Sequence, residues 1–162
     1  IQFVLLTASR QVTPVPESNS SERCESAIED RVRASFARQR LMQTLGAELS
    51  SIRDGVVEIE LPYREDLTQQ HGYLHAAAVS AIVDSACGYA AMTRMPPEAE
   101  VLSVEFKVNL LAPALGERFV AVGRVIRSGR TLTVCSGEAH AERNGVRKLI
   151  CVMQATMIAS RT

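Results

Sequence analysis

Residues 74–92, LHAAAVSAIVDSACGYAAM, constrain this chain more than any other stretch. Nearly every side chain there is small or apolar, and the only acid between Asp66 and Glu98 is Asp84, near its middle. A helix of that composition is buried on most sides. A carboxylate inside it is costly unless it is paired, neutral or used for chemistry. The run predicts a central helix over residues 74–95, stopped by Pro96-Pro97. The polar cluster Gln69-Gln70-His71-Gly72-Tyr73-Leu74-His75 leads straight into it, so the junction is where chemistry is expected.

The flanking segments supply surfaces on which such a helix can be buried. Residues 26–45 have helical spacing, with Ile28, Val32, Phe36, Leu41, Met42 and Leu45 on the apolar side and Gly46 as the stop. Residues 47–53 and 56–61, joined by Asp54-Gly55, read as a hairpin. Four strands are expected at about 100–111, 117–128, 131–143 and 146–159, the last two joined by Asn144-Gly145. Strict alternation in the first of these puts Leu102, Val104, Phe106, Val108 and Leu110 on one face. Val101, Ser103, Glu105, Lys107 and Asn109 then share the other. This order of elements predicts an α+β fold in which an antiparallel sheet buries its apolar face on the central helix.

The chain has 162 residues, which suits one domain, with residues 1–25 as an N-terminal arm or leader and 26–162 as the domain. Lysine plus arginine number 18, and so do aspartate plus glutamate. That balance argues against a general nucleic-acid or anionic-membrane binder while leaving room for a local basic patch. No apolar run approaches the ~18 residues of a membrane span, and the opening IQFVLLTAS lacks the basic start of a signal peptide. Cys24, Cys87, Cys135 and Cys151 show no zinc-ligand spacing. They read as free thiols of a reducing, cytoplasmic compartment, and no metal site is expected.

Backbone N–H groups in the first helical turn lack partners and carry the positive end of the helix dipole. Around His75 and Ala76 they form a ready cradle for a developing oxyanion, which Ala76, Ala77 and Ala78 are small enough to let a carbonyl approach. Gln69 and either His71 or His75 stand where they can add side-chain donors. Asp84 comes eight residues after Ala76, which is ~12 Å along a helix axis. A carboxylate that attacks a carbonyl, or activates water for it, must lie within ~3.5 Å of the reacting atoms. One helix therefore cannot supply both halves of one site. If both act on one carbonyl, Asp84 comes from a second chain, and a symmetric dimer holds two such sites.

The stretch Gln69-Gln70-His71-Gly72-Tyr73-Leu74-His75-Ala76-Ala77, followed by Ile82-Val83-Asp84-Ser85-Ala86, resembles the signature of hotdog-fold acyl-CoA thioesterases of the phenylacetate-pathway (PaaI-like) type. The resemblance covers about residues 29–159. It implies a curved antiparallel sheet wrapped around a long central helix, assembled as a dimer or a dimer of dimers. It further implies that the Ala76 N–H polarises a thioester carbonyl and that Gln69 holds the carbonyl or the water. Asp84 of the partner chain would be nucleophile or general base. Ser103 matches a position where some members place a water-orienting hydroxyl, and Arg130 lies in a turn that often faces the coenzyme A phosphates. No separate cofactor is implied, because coenzyme A belongs to the acyl-CoA substrate. Ala76-Ala77 stands where Gly-Gly is usual, and Gln69 where asparagine is common.

Blander roles compete with these. Asp84 also fits a buried structural acid, and His75 a helix cap or packing residue. Ser80 and Ser85 lack the Gly-x-Ser-x-Gly turn of an exposed nucleophile, and Cys87 sits in apolar surroundings that raise a thiol pKa. His140 reads as structural. Two other functions remain open: an acyl-CoA-binding or sensor protein without turnover, and a hotdog dehydratase or hydratase acting on 3-hydroxyacyl thioesters, whose His–Asp or His–Glu pair the motif fits less well.

Overall fold

The computed structural model describes residues 18–160, with side chains from Arg23 onward. Helices α1 (Ser18–Phe36) and α2 (Arg40–Leu45) are followed by strands β1 (Glu48–Arg53) and β2 (Val56–Pro62). A short 3₁₀ turn, Glu65–Leu67, leads to the central helix α3 (Ala76–Met92). Strands β3 (Glu100–Leu110), β4 (Arg118–Ser128), β5 (Leu132–Arg143) and β6 (Val146–Ser160) complete the described chain. The six strands form one antiparallel sheet in the order β1-β2-β4-β5-β6-β3, curved around α3. The α+β architecture implied by the sequence is what the chain forms. Residues 1–17 lie outside the described residues, as does most of the segment read as an arm. None of the described helices is long and apolar enough to cross a membrane.

Helix α3 can lie against the sheet because the strands beneath it lack side chains where it passes. Gly123 and Gly137 face each other across β4 and β5. A Cβ on Gly123 would sit 2.3 Å from the backbone of Ala86, and one on Gly137 2.4 Å from Val83 Cγ1. Val79, Ile82, Val83, Ala86 and Cys87 are buried on that side against Phe119, Ala121, Cys135 and Ala155. Burying each of the larger side chains contributes about 1.5–3 kcal/mol. Beyond Ala76 at its start, the less buried positions of the helix, Ala77, Ser80, Ala81 and Asp84, repeat at three- and four-residue intervals and so form one stripe.

The turns follow their sequence chemistry. Gly55 has φ +69 in the β1–β2 hairpin, while Asn144 (φ 50) and Gly145 (φ 73) close β5–β6. Both central residues of the second turn need positive φ, which is why Asn-Gly suits it.

Three expectations are corrected. The helix expected over residues 26–45 starts at Ser18 and breaks in two at Ala37–Gln39. Gln39 is extended there, at φ −81 and ψ 91, and its Oε1 accepts a hydrogen bond from the Ser85 hydroxyl at 3.1 Å. Successive hairpins join β1–β2, β4–β5 and β5–β6, but β3 crosses to the far edge and pairs only with β6. Alternation in β3 is broken by a bulge between Ser103 and Glu105, which leaves Val104 as the extra residue. Ser103 is opposite Met157 and Phe106 opposite Ala155, both buried positions of β6. Ser103 therefore shares the helix-facing side with Phe106 and Val108, not the far face with Lys107 and Asn109.

Candidate functional site

At the start of α3 the 3₁₀ turn and the strand-like bridge Thr68–Leu74 hold the loop on the helix end. The His75 N–H donates to Leu67 O at 2.8 Å, and the Leu74 N–H to Ala114 O at 3.0 Å. His75 is the N-cap: its Nδ1 accepts from the Ala77 N–H at 2.9 Å. An accepting Nδ1 is unprotonated, so the neutral ring carries its proton on Nε2. The cap takes up Ala77 and leaves Ala76, whose N–H has no acceptor among the described residues. Ala76 and Ala77 have no positive φ. They sit in an ordinary right-handed first turn, a conformation open to alanine as well as to glycine.

Gln69 closes this loop on itself. Its Oε1 accepts from the His71 N–H, its own N–H donates to Tyr73 O at 2.9 Å, and its carbonyl accepts from the Gly72 N–H at 2.9 Å. The Gln69 Nε2 donors have no acceptor among the described residues. Gln69 and Ala76 line a cleft of about 450 Å³ whose other walls include Tyr73, Leu110, Leu111 and Ile150. The cleft is thus lined by two residues with unpaired N–H donors and otherwise mostly by apolar residues.

Asp84 lies elsewhere. The Ser103 hydroxyl donates to its Oδ1 at 2.7 Å and also lies 3.4 Å from Met157 Sδ. The β3 bulge makes this pair possible by turning Ser103 toward the helix. Asp84 borders two depressions, one of about 430 Å³ with Leu41, Ala77, Ala81 and Phe106, the other of about 240 Å³ with Arg38, Tyr89 and Glu100. Neither includes Gln69 or Ala76. The structure brings Asp84 together with Ser103, and Gln69 with Ala76 and His75, as two separate groups on one chain. Arg130 is exposed in the β4–β5 turn and lines none of these clefts.

The rival nucleophiles are poorly placed. Cys87 is buried, and burial first, then the charges of Cys135 and Asp84, pushes its thiol far above the usual range. The Ser85 hydroxyl is taken up by Gln39. His140 lies on the face of β5 away from α3, between the helix-facing Ala139 and Ala141. Sequence reasoning missed Arg38, Gln39, Tyr89, Gly88 and Glu100 around Asp84. Of these, Gly88 left a readable signal, a glycine one helical turn after the acid.

Residues 71–148 match the thioesterase superfamily. A crystal structure of a thioesterase family protein from Silicibacter pomeroyi is 52% identical with a TM-score of 0.82, covering 83% of this chain and 99% of that one. The 1,4-dihydroxy-2-naphthoyl-CoA hydrolase of Listeria monocytogenes is 25% identical over 121 residues, 75% of this chain and 96% of the relative. The PaaI protein of the E. coli phenylacetic acid degradation operon shares the fold at 14% identity, with a TM-score of 0.74 over 85% of this chain and 96% of that one. The chain spans 67% and 65% of the length of two archaeal relatives, from Saccharolobus solfataricus and Halobacterium salinarum, which carry provisional esterase names. With half the sequence shared across almost the whole of a thioesterase-family structure, the chain belongs to the thioesterase superfamily and carries its hotdog fold.

Proposed function

We propose that this protein hydrolyses acyl-CoA thioesters to a carboxylic acid and free coenzyme A at a site shared between two copies of the chain. The observation that carries the reading is the division of parts just described. Unpaired donors at Gln69 and Ala76 occupy one cleft, and a hydroxyl-bound carboxylate, Asp84, occupies another. In the proposed mechanism the Ala76 N–H of one copy receives the charge that develops on the thioester oxygen, with help from the helix dipole. The Gln69 Nε2 holds the carbonyl or the water. His75 fixes the first turn by capping Ala77. Asp84 of the partner subunit either attacks the carbonyl carbon, giving an acyl–aspartyl anhydride that water then hydrolyses, or takes a proton from a water molecule whose oxygen attacks that carbon, while Ser103 orients the carboxylate. Sulfur leaves as the thiolate of coenzyme A, with Arg130 near enough to the surface to meet its phosphates. The Listeria relative is named for hydrolysis of a CoA thioester, which supports the substrate class.

The stripe Ala77–Ser80–Ala81–Asp84 and the outer edge of β3 are where a second copy fits. Leu102, Val104, Phe106, Leu110 and Leu111 are all exposed along or beside that edge. A long apolar edge strand left unpaired is a template for another strand. Pairing β3 with its counterpart would extend the sheet and bring the small-residue stripes together. Two such dimers would make the tetramer the family resemblance allows. The domain reading, an N-terminal arm before a single catalytic unit, and a cytoplasmic location go with this proposal.

Coenzyme A release should be measured over an acyl-CoA panel for wild type, Asp84→Asn and Gln69→Ala. Removal of a general base costs about 10²–10⁴ in rate. Each variant alone is expected to be nearly inactive, while co-expressed chains should regain activity, because a mixed dimer keeps one site with both parts intact. Absence of that rescue in a verified mixed dimer sinks the shared site. Tight acyl-CoA binding by the wild type without turnover would favour the sensor reading instead.

A further inference from the structure

Gln39 does not do what its place in the chain calls for. It is the N-cap of α2, and its carbonyl accepts from the Met42 and Gln43 N–H groups at 3.0 and 3.3 Å. A side chain at an N-cap normally accepts a hydrogen bond from the first helical turn, and the residues that do so are short. The Gln39 side chain makes no such bond. It reaches α3 instead, where its Oε1 accepts from the Ser85 hydroxyl at 3.1 Å. The helical run is thus interrupted, without glycine or proline, at the residue whose amide meets the neighbour of Asp84.

That amide stands on the wall shared by the two depressions beside Asp84. Among the described residues, only Gln39, Asp84 and Ser85 border both. The Ser85 hydroxyl donates to Gln39, and the Ser103 hydroxyl to Asp84. Arg38 borders one depression only and lies 3.6 Å from Glu100. The Gln39 Nε2 has no acceptor among the described residues. A bond to Oε1 restrains the amide plane, and with it the aspect of the Nε2 donors. Gln39 is half-buried, which strengthens any bond those donors make. A water molecule beside a carboxylate gives it one proton and has two lone pairs. A donor that occupies one lone pair leaves the other for attack.

We propose that Gln39 is a catalytic residue whose Nε2 holds the water that Asp84 of the same chain activates. As the bond from the water oxygen to the thioester carbon forms, the water proton passes to the Asp84 carboxylate. The carbon–sulfur bond then breaks, and coenzyme A leaves as the thiolate. Gln39 gives a hydrogen bond and transfers no proton. Gln39 and Asp84 form one half of the site, facing the Gln69 and Ala76 donors of the other copy. The inference rests on the hydrolase reading above and adds a residue to it, on the branch in which water attacks.

Gln39→Met removes the donor and keeps the length. Ser85→Ala removes the bond that steadies the amide and leaves the donor in place. Gln39→Met is expected to lose at least about tenfold in kcat with KM nearly unchanged, and Ser85→Ala less. Both variants break the same bond, so equal losses would mean that Gln39 only fastens α2 to α3, and the proposal fails. Thermal unfolding checks that each variant folds. Gln39→Glu, which keeps the acceptor for Ser85 and lacks the donor, replaces Gln39→Met if the latter does not. Mixed dimers give a second readout. Gln39→Met chains paired with Gln69→Ala chains should regain activity, because one site keeps every part. Gln39→Met paired with Asp84→Asn should not rise above Gln39→Met alone, because both defects fall on the same half. Rescue in that second pairing, or a wild-type kcat in Gln39→Met, overturns the proposal and leaves the shared site standing. Absence of rescue between Asp84→Asn and Gln69→Ala overturns the shared site and this assignment with it.

Discussion

Adding one methyl group to Gly123 should damage stability and activity together. The Cβ of Gly123→Ala would lie 2.3 Å from both C and O of Ala86 and 2.5 Å from the Cys87 nitrogen. Ordinary contact begins near 3.4 Å, so α3 must lift by 3.4 − 2.3 = 1.1 Å at that point. The obstacle is backbone on both sides, which cannot rotate away as a side chain tip does. Overpacking of this kind costs about 1–3 kcal/mol, and rigid neighbours put this case at about 3. With a urea m-value of about 2 kcal/mol per molar, the unfolding midpoint should fall by about 1.5 M.

Asp84 lies two residues before Ala86, so the same lift disturbs its 2.7 Å bond to Ser103. A misplacement of about 1 Å can cost about a hundredfold in rate. Gly88→Ala is the contrasting substitution. Its Cβ finds open space apart from Val101 Cγ1 at 3.9 Å, so removing a mid-helix glycine should stabilise by about 0.5–1 kcal/mol. Urea unfolding of the two variants, with coenzyme A release for Gly123→Ala, is the assay. An unchanged midpoint for Gly123→Ala, or an equal loss in both variants, refutes the argument that these strands are bare to admit the helix.

Ser103→Ala removes a hydrogen bond to a charged group, worth about 1.5–3 kcal/mol where fully formed. Because Ser103 is exposed, a loss of about tenfold in coenzyme A release is expected, with the unfolding midpoint nearly unchanged. A rate equal to wild type would remove Ser103 from the proposed site. Glu142 is held below the usual carboxylate range by hydrogen bonds from Arg118 and then Arg147, against a small opposing effect of burial. A depressed folded-state value stabilises above the unfolded value of 4.5 and loses that contribution as pH falls through the lowered one. Arg118→Met should therefore lower the denaturation midpoint at pH 7, and the gap to wild type should narrow below pH ~4. A gap that widens in acid contradicts the assignment. Burial pushes the Cys135 thiol up to about 11 and raises Cys87 and Cys151 as well, while Cys24 is exposed. A thiol reagent at neutral pH should label Cys24 at once and the other three only in denaturant; fast labelling of more than one thiol would contradict the buried placement.

Local chemistry made part of this protein readable. Asp54-Gly55 and Asn144-Gly145 announce their turns because few other residues accept the positive φ found there. The small apolar run around Asp84 announces a buried helix because nothing else tolerates that composition. What escaped depends on contacts far apart in sequence. Ala37-Arg38-Gln39 contains neither glycine nor proline, and the break there goes with a bond from Gln39 to Ser85, across 46 positions. The crossing of β3 to the far edge has no local signal, since hairpin chemistry speaks only for neighbours.

The bulge in β3 is the most instructive of these. Alternation treats a strand as an unbroken period of two, and one inserted residue reverses every assignment beyond it. Leu102, Val104, Phe106, Val108 and Leu110 look like one apolar face only if the period holds. With Val104 as the extra residue, Leu102 and Phe106 point to opposite sides, and Ser103 turns to the helix that carries Asp84. The residues that looked like a core face therefore divide between the inner surface and the free edge. One irregularity in pairing thus supplies the acid with its hydroxyl donor and leaves apolar side chains exposed along the edge that a second chain would cover. Because Ser103 pairs with Met157 and Glu105 with Thr156, deleting Val104 should straighten β3 and still keep Ser103 and Phe106 on the helix-facing side; coenzyme A release that survives the deletion is the expected result, and its loss in a variant that still folds would refute this account of the bulge.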